Sequence, residues 1–367
     1  MAQSRQYELI LFGATGYTGK LTAEWISQHL PTDLKWAIAG RNTKKLQDVV
    51  EDLRKLSPDR KQPDIETCEL KEDQLTALVL KTRLVITTIG PFMFHGEPLL
   101  SACAHTGTHY IDSTGEVPWI HSLLPKYHAL ARSTGAILIP ECGLDSVPAD
   151  LLSYALTTHI RRTLNAGTAS LTMSYVDGAS GVSGGTSETI LQLFDHYGAR
   201  KLGEALAPWS LSPVRPKNPA GGEKGGWERW FGLRNVPELG GLQTSWLMAG
   251  VDRCIVHRSW GLHEERAATA NNPHLSYGPR FSFKEYMRAS SFLSGLAVNL
   301  AMATFGILFA LPLTRYLLKP LVKRFVVPAQ GDGPSRESMK NDFMSYRAQR
   351  LFLIDFKSIL KSKKRSI

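Results

Sequence analysis

The sequence predicts an α/β protein in which a doubly wound parallel sheet is followed by a second, smaller α+β domain and, near the C-terminus, an apolar helical segment. Three observations predict it. Short apolar strands alternate with helix-like stretches through residues 1–150, the pattern of βαβ units. After Asp150 the strands become half-polar and one long helical pattern appears, as in α+β folds. Finally, no charged residue occurs from Ala289 through Thr314, an interval of 26 residues. The expected domains are therefore 1–150 (parallel sheet), 151–285 (substrate or dimerisation domain), 286–326 (apolar segment) and 327–367 (basic tail).

The elements follow in order. "YELILFG" reads as a strand, and Tyr17–Leu30 as a helix halted by Pro31, since proline cannot continue a helix. "LKWAIAG" is a second strand, and Thr43–Leu56 an amphipathic helix with Thr43 as its cap. "DIETCEL", "LVITTIG", "HYID" and "AILIP" are further strands, with helices over "LTALVLKT", Pro98–Thr106 and His121–Thr134 between them. Beyond Asp150, "ASLTMSYVDG" and "DRCIVHRSWGL" alternate like strands, Ser187–Leu206 reads as one helix, and 208–241 as an irregular loop.

Composition narrows the function classes. The net charge is +10, yet 13 Lys/Arg against 4 Asp/Glu lie from Thr314 onward, leaving 30 against 29 in the first 313 residues. A body so balanced is not a nucleic-acid binder, whereas the basic tail suits an anionic surface. The four cysteines lack any CxxC pair, so neither a disulfide framework nor a metal site is expected. The opening "MAQSRQ" has no apolar signal-peptide core, and a cytosolic body is expected.

The chemistry begins at Gly13-Ala14-Thr15-Gly16-Tyr17-Thr18-Gly19, which follows a strand and opens a helix. There the first glycine permits the turn, the second lets backbone amides approach a pyrophosphate, and the third lets helix pack on sheet. This is the Rossmann arrangement. Sites that prefer NAD end the second strand with an acid; here Gly40 is followed by Arg41. A guanidinium can fork onto a 2′-phosphate that a carboxylate would repel, which puts NADP(H) ahead of NAD(H). The Gly90-Pro91 turn ends the fourth strand, where nicotinamide and ribose usually rest.

Candidates for proton transfer are His95, Asp112, Glu116 and Asp145, at or just after strand ends. Paired carboxylates there could relay a proton, although Asp145 and Ser146 also read as a helix start before Pro148. Hydride transfer needs mainly geometry and water exclusion, so the absence of a triad or metal motif is no objection. No Tyr-x-x-x-Lys dyad follows the glycine loop, so an ordinary short-chain dehydrogenase is not expected.

Together, "FGATGYTGKLTAEW", "AIAGRNTKKL", "TTIGPFMFHGEPLLSACAHTGTHYIDSTGE", "PECGLDSVPADL", "GVSGGTSET" and "DRCIVHRSWGL" resemble the saccharopine dehydrogenase-like oxidoreductases, a family that includes trans-acting enoyl reductases. The likeness extends through the apolar segment to "GDGPS" at 331–335. It implies a pyridine-nucleotide-dependent reductase with cofactor positions at Gly13, Gly16, Gly19, Arg41 and Gly90-Pro91, and association with a lipid droplet or other membrane. Such proteins usually continue for several dozen residues after "GDGPS"; this chain instead runs into a basic sequence whose final eleven residues hold five Lys/Arg and no acid.

The expected function is NADP(H)-dependent transfer of hydride to a C=C or C=O of a lipid- or polyketide-like substrate. The protein is expected at a membrane surface with its body facing the cytosol, and a second copy of the chain is a candidate partner. The alternatives are an amino-acid-like imine reductase and a catalytically silent nucleotide-binding scaffold.

Overall fold

The structure, a computed structural model, describes residues 5–178, 184–220, 230–325, 333–337 and 344–353. The start of "GVSGGTSET", the first two residues of "GDGPS" and the eleven closing residues fall outside these. The chain divides into two compact units: Met1–Leu144 with Gly181–Leu202 and Tyr316–Arg336, and Asp145–Ser180 with Gly203–Arg315 and Glu337–Ile367. Two later segments thus belong to the first unit, whereas the expected domains were continuous stretches bounded at 150, 285 and 326.

The first unit is a six-stranded sheet of order β3-β2-β1-β4-β5-β6, with every pairing parallel. Its strands are β1 (Tyr7–Phe12), β2 (Trp36–Gly40), β3 (Asp64–Thr67), β4 (Thr82–Thr87), β5 (His109–Asp112) and β6 (Leu138–Ile139). Helices α1 (Tyr17–His29), α2 (Thr43–Leu56), α3 (Glu72–Leu80), α4 (Phe92–His95), α5 (Glu97–Thr106) and α6 (Val117–Thr134) connect them. The central strands are near-continuous apolar runs because helices cover both faces of such a sheet. Leu9, Leu11, Trp36 and Ile38 from β1 and β2 meet Ala23 and Ile26 of α1 and Leu46, Val49 and Leu53 of α2 in one buried cluster. In α2, Asn42 rather than the expected Thr43 is the cap: its side chain accepts from Lys45 N at 3.0 Å. The Thr43 hydroxyl instead meets that of Thr67 at 2.9 Å.

The second unit holds a five-stranded mixed sheet of order β11-β7-β10-β9-β8. The strands are β7 (Gly167–Gly178), β8 (Arg234–Val236), β9 (Gly241–Thr244), β10 (Ser282–Arg288) and β11 (Met344–Leu353). Helices α7 (Val147–Leu164) and α9 (Ala249–Thr269) belong to it, and α8 (Gly184–Ala205) precedes β8. Three expectations are corrected here. "DRCIVHRSWGL" is not a strand but the body of α9. Asp252, Cys254, Val256, His257 and Trp260 are all buried, and burial on so much of the circumference blurs the helical period. The loop expected at 208–241 contains β8. Part of the expected basic tail, Met344–Leu353, is an edge strand antiparallel to β7. The helix expected over Ser187–Leu206 is present as α8, interrupted at Gly198 (φ 70°, ψ 161°).

The uncharged interval forms α10 (Phe292–Ala310), and α11 (Pro312–Phe325) follows. α10 is docked on the second sheet along one side. Asn299 accepts from the Thr244 hydroxyl (2.9 Å) and Ser245 N (3.1 Å), and donates to Phe231 O (2.8 Å). A Cβ on Gly295 would lie 2.7 Å from Leu233, so the helix approaches closely there. Leu293, Leu300 and Ile307, seven residues apart on another side, are 75%, 59% and 62% exposed.

Candidate functional site: the carboxyl edge of the parallel sheet

In a sheet of this order the crevice for a dinucleotide lies at the carboxyl ends of β1 and β4, where the winding reverses. The glycine loop leaves β1 at that point. Gly13 has φ +95°, a conformation that favours glycine, and its amide donates to Ala39 O of β2 (2.9 Å). A Cβ on Gly19 would collide with the Gly13 carbonyl, so α1 can reach the loop only with glycine there. The N-cap of α1 is Gly16, with no side-chain capping bond and no acid in the first turn. The first-turn amides and the positive end of the helix are thus left to an anion. Thr15 and Tyr17 are half-buried and Thr18 is exposed. The end of β4 leans on the same loop, with the Thr88 hydroxyl donating to Gly13 O (3.3 Å).

At the end of β2, Arg41 is exposed and follows Gly40 where an acid would stand in an NAD site. At the end of β4, Gly90-Pro91 leads into the short helix α4, for which Pro91 is the N-cap. The two first amides of α4 are received by one carboxylate from the next strand's loop. Phe92 N donates to Glu116 Oε1 (2.8 Å) and Met93 N to Oε2 (2.6 Å). The Thr189 hydroxyl of α8 adds a third, longer bond of 3.4 Å. Glu116 is 1% exposed. Burial pushes its carboxyl up to about 7, against the pull of the Phe92 and Met93 amides. Sequence reasoning found Glu116 but not its partners, which lie 24, 23 and 73 positions away.

Asp112 is also buried, and its hydrogen bonds are structural. It accepts from the Tyr110 hydroxyl (2.7 Å), Thr114 N (2.9 Å) and Glu141 N (2.9 Å), tying the exits of β5 and β6 together. Glu141, beside it, is buried and sits at φ 58°. His95 is exposed at the end of α4, its ring edge near Phe94. Asp145 opens the second unit, and burial pushes its carboxyl up to about 6. Ser146 is the N-cap of α7, yet its side chain makes no capping bond. The structure therefore gathers Gly13, Gly90, Asp112 and Glu116 at one edge of one sheet. No group of three His, Cys, Asp or Glu that could hold a metal occurs among the described residues.

The arrangement fits a dinucleotide: a tight turn in which a Cβ at Gly13 or Gly19 would strike neighbouring protein atoms, an uncapped helix start and Arg41 in place of an acid after β2. Residues 9–139 match the family model of the saccharopine dehydrogenase NADP-binding domain, and the class is thus an NADP-dependent oxidoreductase. A trans-acting enoyl reductase of Mycobacterium bovis is 31% identical over 360 residues, covering 93% of this chain and 80% of its own. That of Mycobacterium leprae is 32% identical over 347 residues, covering 91% and 78%. A Mycobacterium tuberculosis protein provisionally named a trans-acting enoyl reductase is 34% identical over 354 residues, covering 93% and 80%. Among solved structures, apo saccharopine dehydrogenase (L-Glu forming) from Saccharomyces cerevisiae aligns with a TM-score of 0.37 and 16% identity, over 47% of this chain and 35% of that one. The chain belongs to the saccharopine dehydrogenase-like oxidoreductases, the family of these enoyl reductases.

Proposed function

We propose that this protein uses NADPH to reduce a C=C or C=O of a lipid- or polyketide-like substrate at the cytosolic face of a membrane. The single observation that carries the lipid side of this reading is the exposed apolar surface of α10 and α11. By length and composition α10 can cross a bilayer, with a mean hydropathy of 1.9 and only Gly295 and Phe309 of its residues buried. Its Asn299 side is engaged by the second sheet, however, while Leu293, Leu300 and Ile307 face outward. α11 adds Leu313, Leu317 and Leu321, four residues apart and 72%, 60% and 54% exposed. A helix that presents one apolar stripe suits the interface rather than a span, and each of the two does so by itself. Arg315 and Arg324 border that stretch in the sequence and suit the anionic cytosolic leaflet, while Lys319 and Lys323 are paired with Asp195 and Glu188. The names of the mycobacterial relatives favour an enoyl group as the acceptor.

The residues divide the work. The amides after Gly13 and Gly16 receive the diphosphate, with Thr15 to Gly19 shaping the turn, and Arg41 meets the 2′-phosphate. Glu116 fixes α4 and, through it, the Gly90-Pro91 turn beside the nicotinamide position; it acts as a positioning residue. NADPH, when bound, supplies the hydride. Asp112 holds the β5 and β6 exits in register, and its bonds to Tyr110, Thr114 and Glu141 leave it a structural part. His95 is exposed and free of such ties, and is the candidate to return a proton to the reduced product.

The test is NADPH consumption by the purified chain, followed at 340 nm, over a panel of enoyl thioesters, ketones, and 2-oxo acids with amines. Turnover of an enoyl or carbonyl substrate of long chain supports the reading. Turnover confined to the 2-oxo acid and amine pair replaces it with imine reduction. Tight NADPH binding with no turnover anywhere on the panel replaces it with a silent scaffold.

A further inference from the structure

The "GDGPS" stretch is a motif that the reading above leaves without a role. Its described part, Gly333 to Ser335, runs with Arg336 along α1, the helix that springs from the glycine loop. Tyr17, the first residue of α1, donates its hydroxyl to Pro334 O at 2.7 Å, across 317 positions of sequence. Gly333 presses on the same ring: a Cβ there would stand 2.5 Å from Cε1 and Cζ and 2.8 Å from Cδ1 of Tyr17. Seven residues further along α1, Glu24 pairs with Arg336. Positions seven apart lie on one face of a helix, two turns from each other. The segment is therefore attached to α1 at two points. Arg336 is 66% exposed, so that ion pair contributes little alone; the ring and hydroxyl of Tyr17 carry the contact.

We propose that residues 333–336 are a strap that positions Tyr17 and thereby preorganises the glycine loop for the diphosphate half of NADPH. The proposal rests on the assignment of that loop as the diphosphate cradle. A loop with glycine at 13, 16 and 19 has much backbone freedom to lose when an anion binds. Its amides are aimed by the first turn of α1, which begins at Tyr17. Fixing that residue from outside removes part of the ordering cost before the ligand arrives. Such preorganisation is read mainly in the dissociation rate. It also gives Gly333 a reason to be glycine: any side chain would drive the Tyr17 ring away.

Calorimetry and stopped-flow dissociation on the full chain test this, with NADPH and with 2′-AMP, which carries the 2′-phosphate but no 5′-phosphate and so places nothing on the glycine loop. Tyr17→Phe removes the hydroxyl and keeps the ring; Gly333→Ala displaces the ring. The loss of one hydrogen bond corresponds to a weakening of NADPH binding by about fivefold. Tyr17→Phe is expected to show that loss, carried by faster dissociation, and Gly333→Ala a larger one, while both bind 2′-AMP as the parent does. Equal weakening of both ligands overturns the proposal, because it marks general damage to the sheet edge. Unchanged NADPH binding in Tyr17→Phe, which is conservative enough to fold, overturns it as well. A parent protein that binds 2′-AMP but gains nothing from the rest of NADPH overturns the cradle assignment itself, and the strap with it.

Discussion

Glu116 is the residue at which the site is most sensitive to pH. Its carboxyl is raised from an ordinary 4.5 to about 7 by burial. Between those values the native state holds a proton that the unfolded chain has released, so stability is full below about pH 4.5 and is lost as pH rises through 7. The loss amounts to roughly 3 kcal/mol. In Glu116→Gln this part of the profile is expected to flatten in urea titrations from pH 4.5 to 8. A residual slope remains from the other carboxyls that burial raises, Asp145 and Asp150 to about 6 and Glu285 to about 7. An unchanged profile would show that Glu116 is ionised throughout. Arg41→Ala is expected to weaken NADPH by about 1–3 kcal/mol, the scale of a charged hydrogen bond, with NADH hardly affected; equal losses by calorimetry would refute the 2′-phosphate contact. The glycine turn and the place of Arg41 at the end of β2 were legible in the sequence because each is local to one strand-to-helix connection. The capping of α4 by Glu116 was not, since no spacing rule links a carboxylate to amides 24 positions back.

At the scale of elements, legibility followed how each one buries itself. The strands of the parallel sheet announce themselves as apolar runs, and α2, with Leu46, Val49, Val50 and Leu53 as its buried stripe, keeps a clean helical period. α9 does not, for it is enclosed on most sides. β11 was hidden because Arg350 falls among the apolar positions Met344, Tyr346, Ala348 and Phe352 and interrupts their alternation, as charges often do on edge strands. A chain ending at residue 343 would leave the β7 edge unpaired along the whole ladder from Met344–Gly178 to Leu353–Gly167. It is expected to aggregate, with soluble yield after expression as the measure. The α10 stripe makes a separate prediction. Leu300→Glu with Ile307→Glu should keep the fold, since both side chains point outward. It should abolish flotation with anionic phosphatidylserine vesicles, and persistent flotation would refute an interfacial role for this face.

For the whole molecule, the division into two units implies that the coenzyme stabilises one of them directly. NADPH at about 100 times its Kd adds roughly 2.7 kcal/mol to the unfolding of whatever binds it. Scanning calorimetry should therefore show NADPH raising the transition that melts the parallel sheet, and an equal response to NADH would contradict the cofactor preference. The first unit is itself assembled from distant stretches. Lys319 and Lys323 reach Asp195 and Glu188 of α8 at 2.5 and 3.0 Å, and Pro334 reaches Tyr17. That last contact sets an order on biosynthesis. A ribosome that adds about 5–20 residues each second makes Pro334 roughly 16–60 s after Tyr17. Through that interval the nascent sheet can fold and even sample coenzyme, but it does so with its grip unfinished. The part of the message that tightens the hold on the nucleotide is read long after the part that creates the hold.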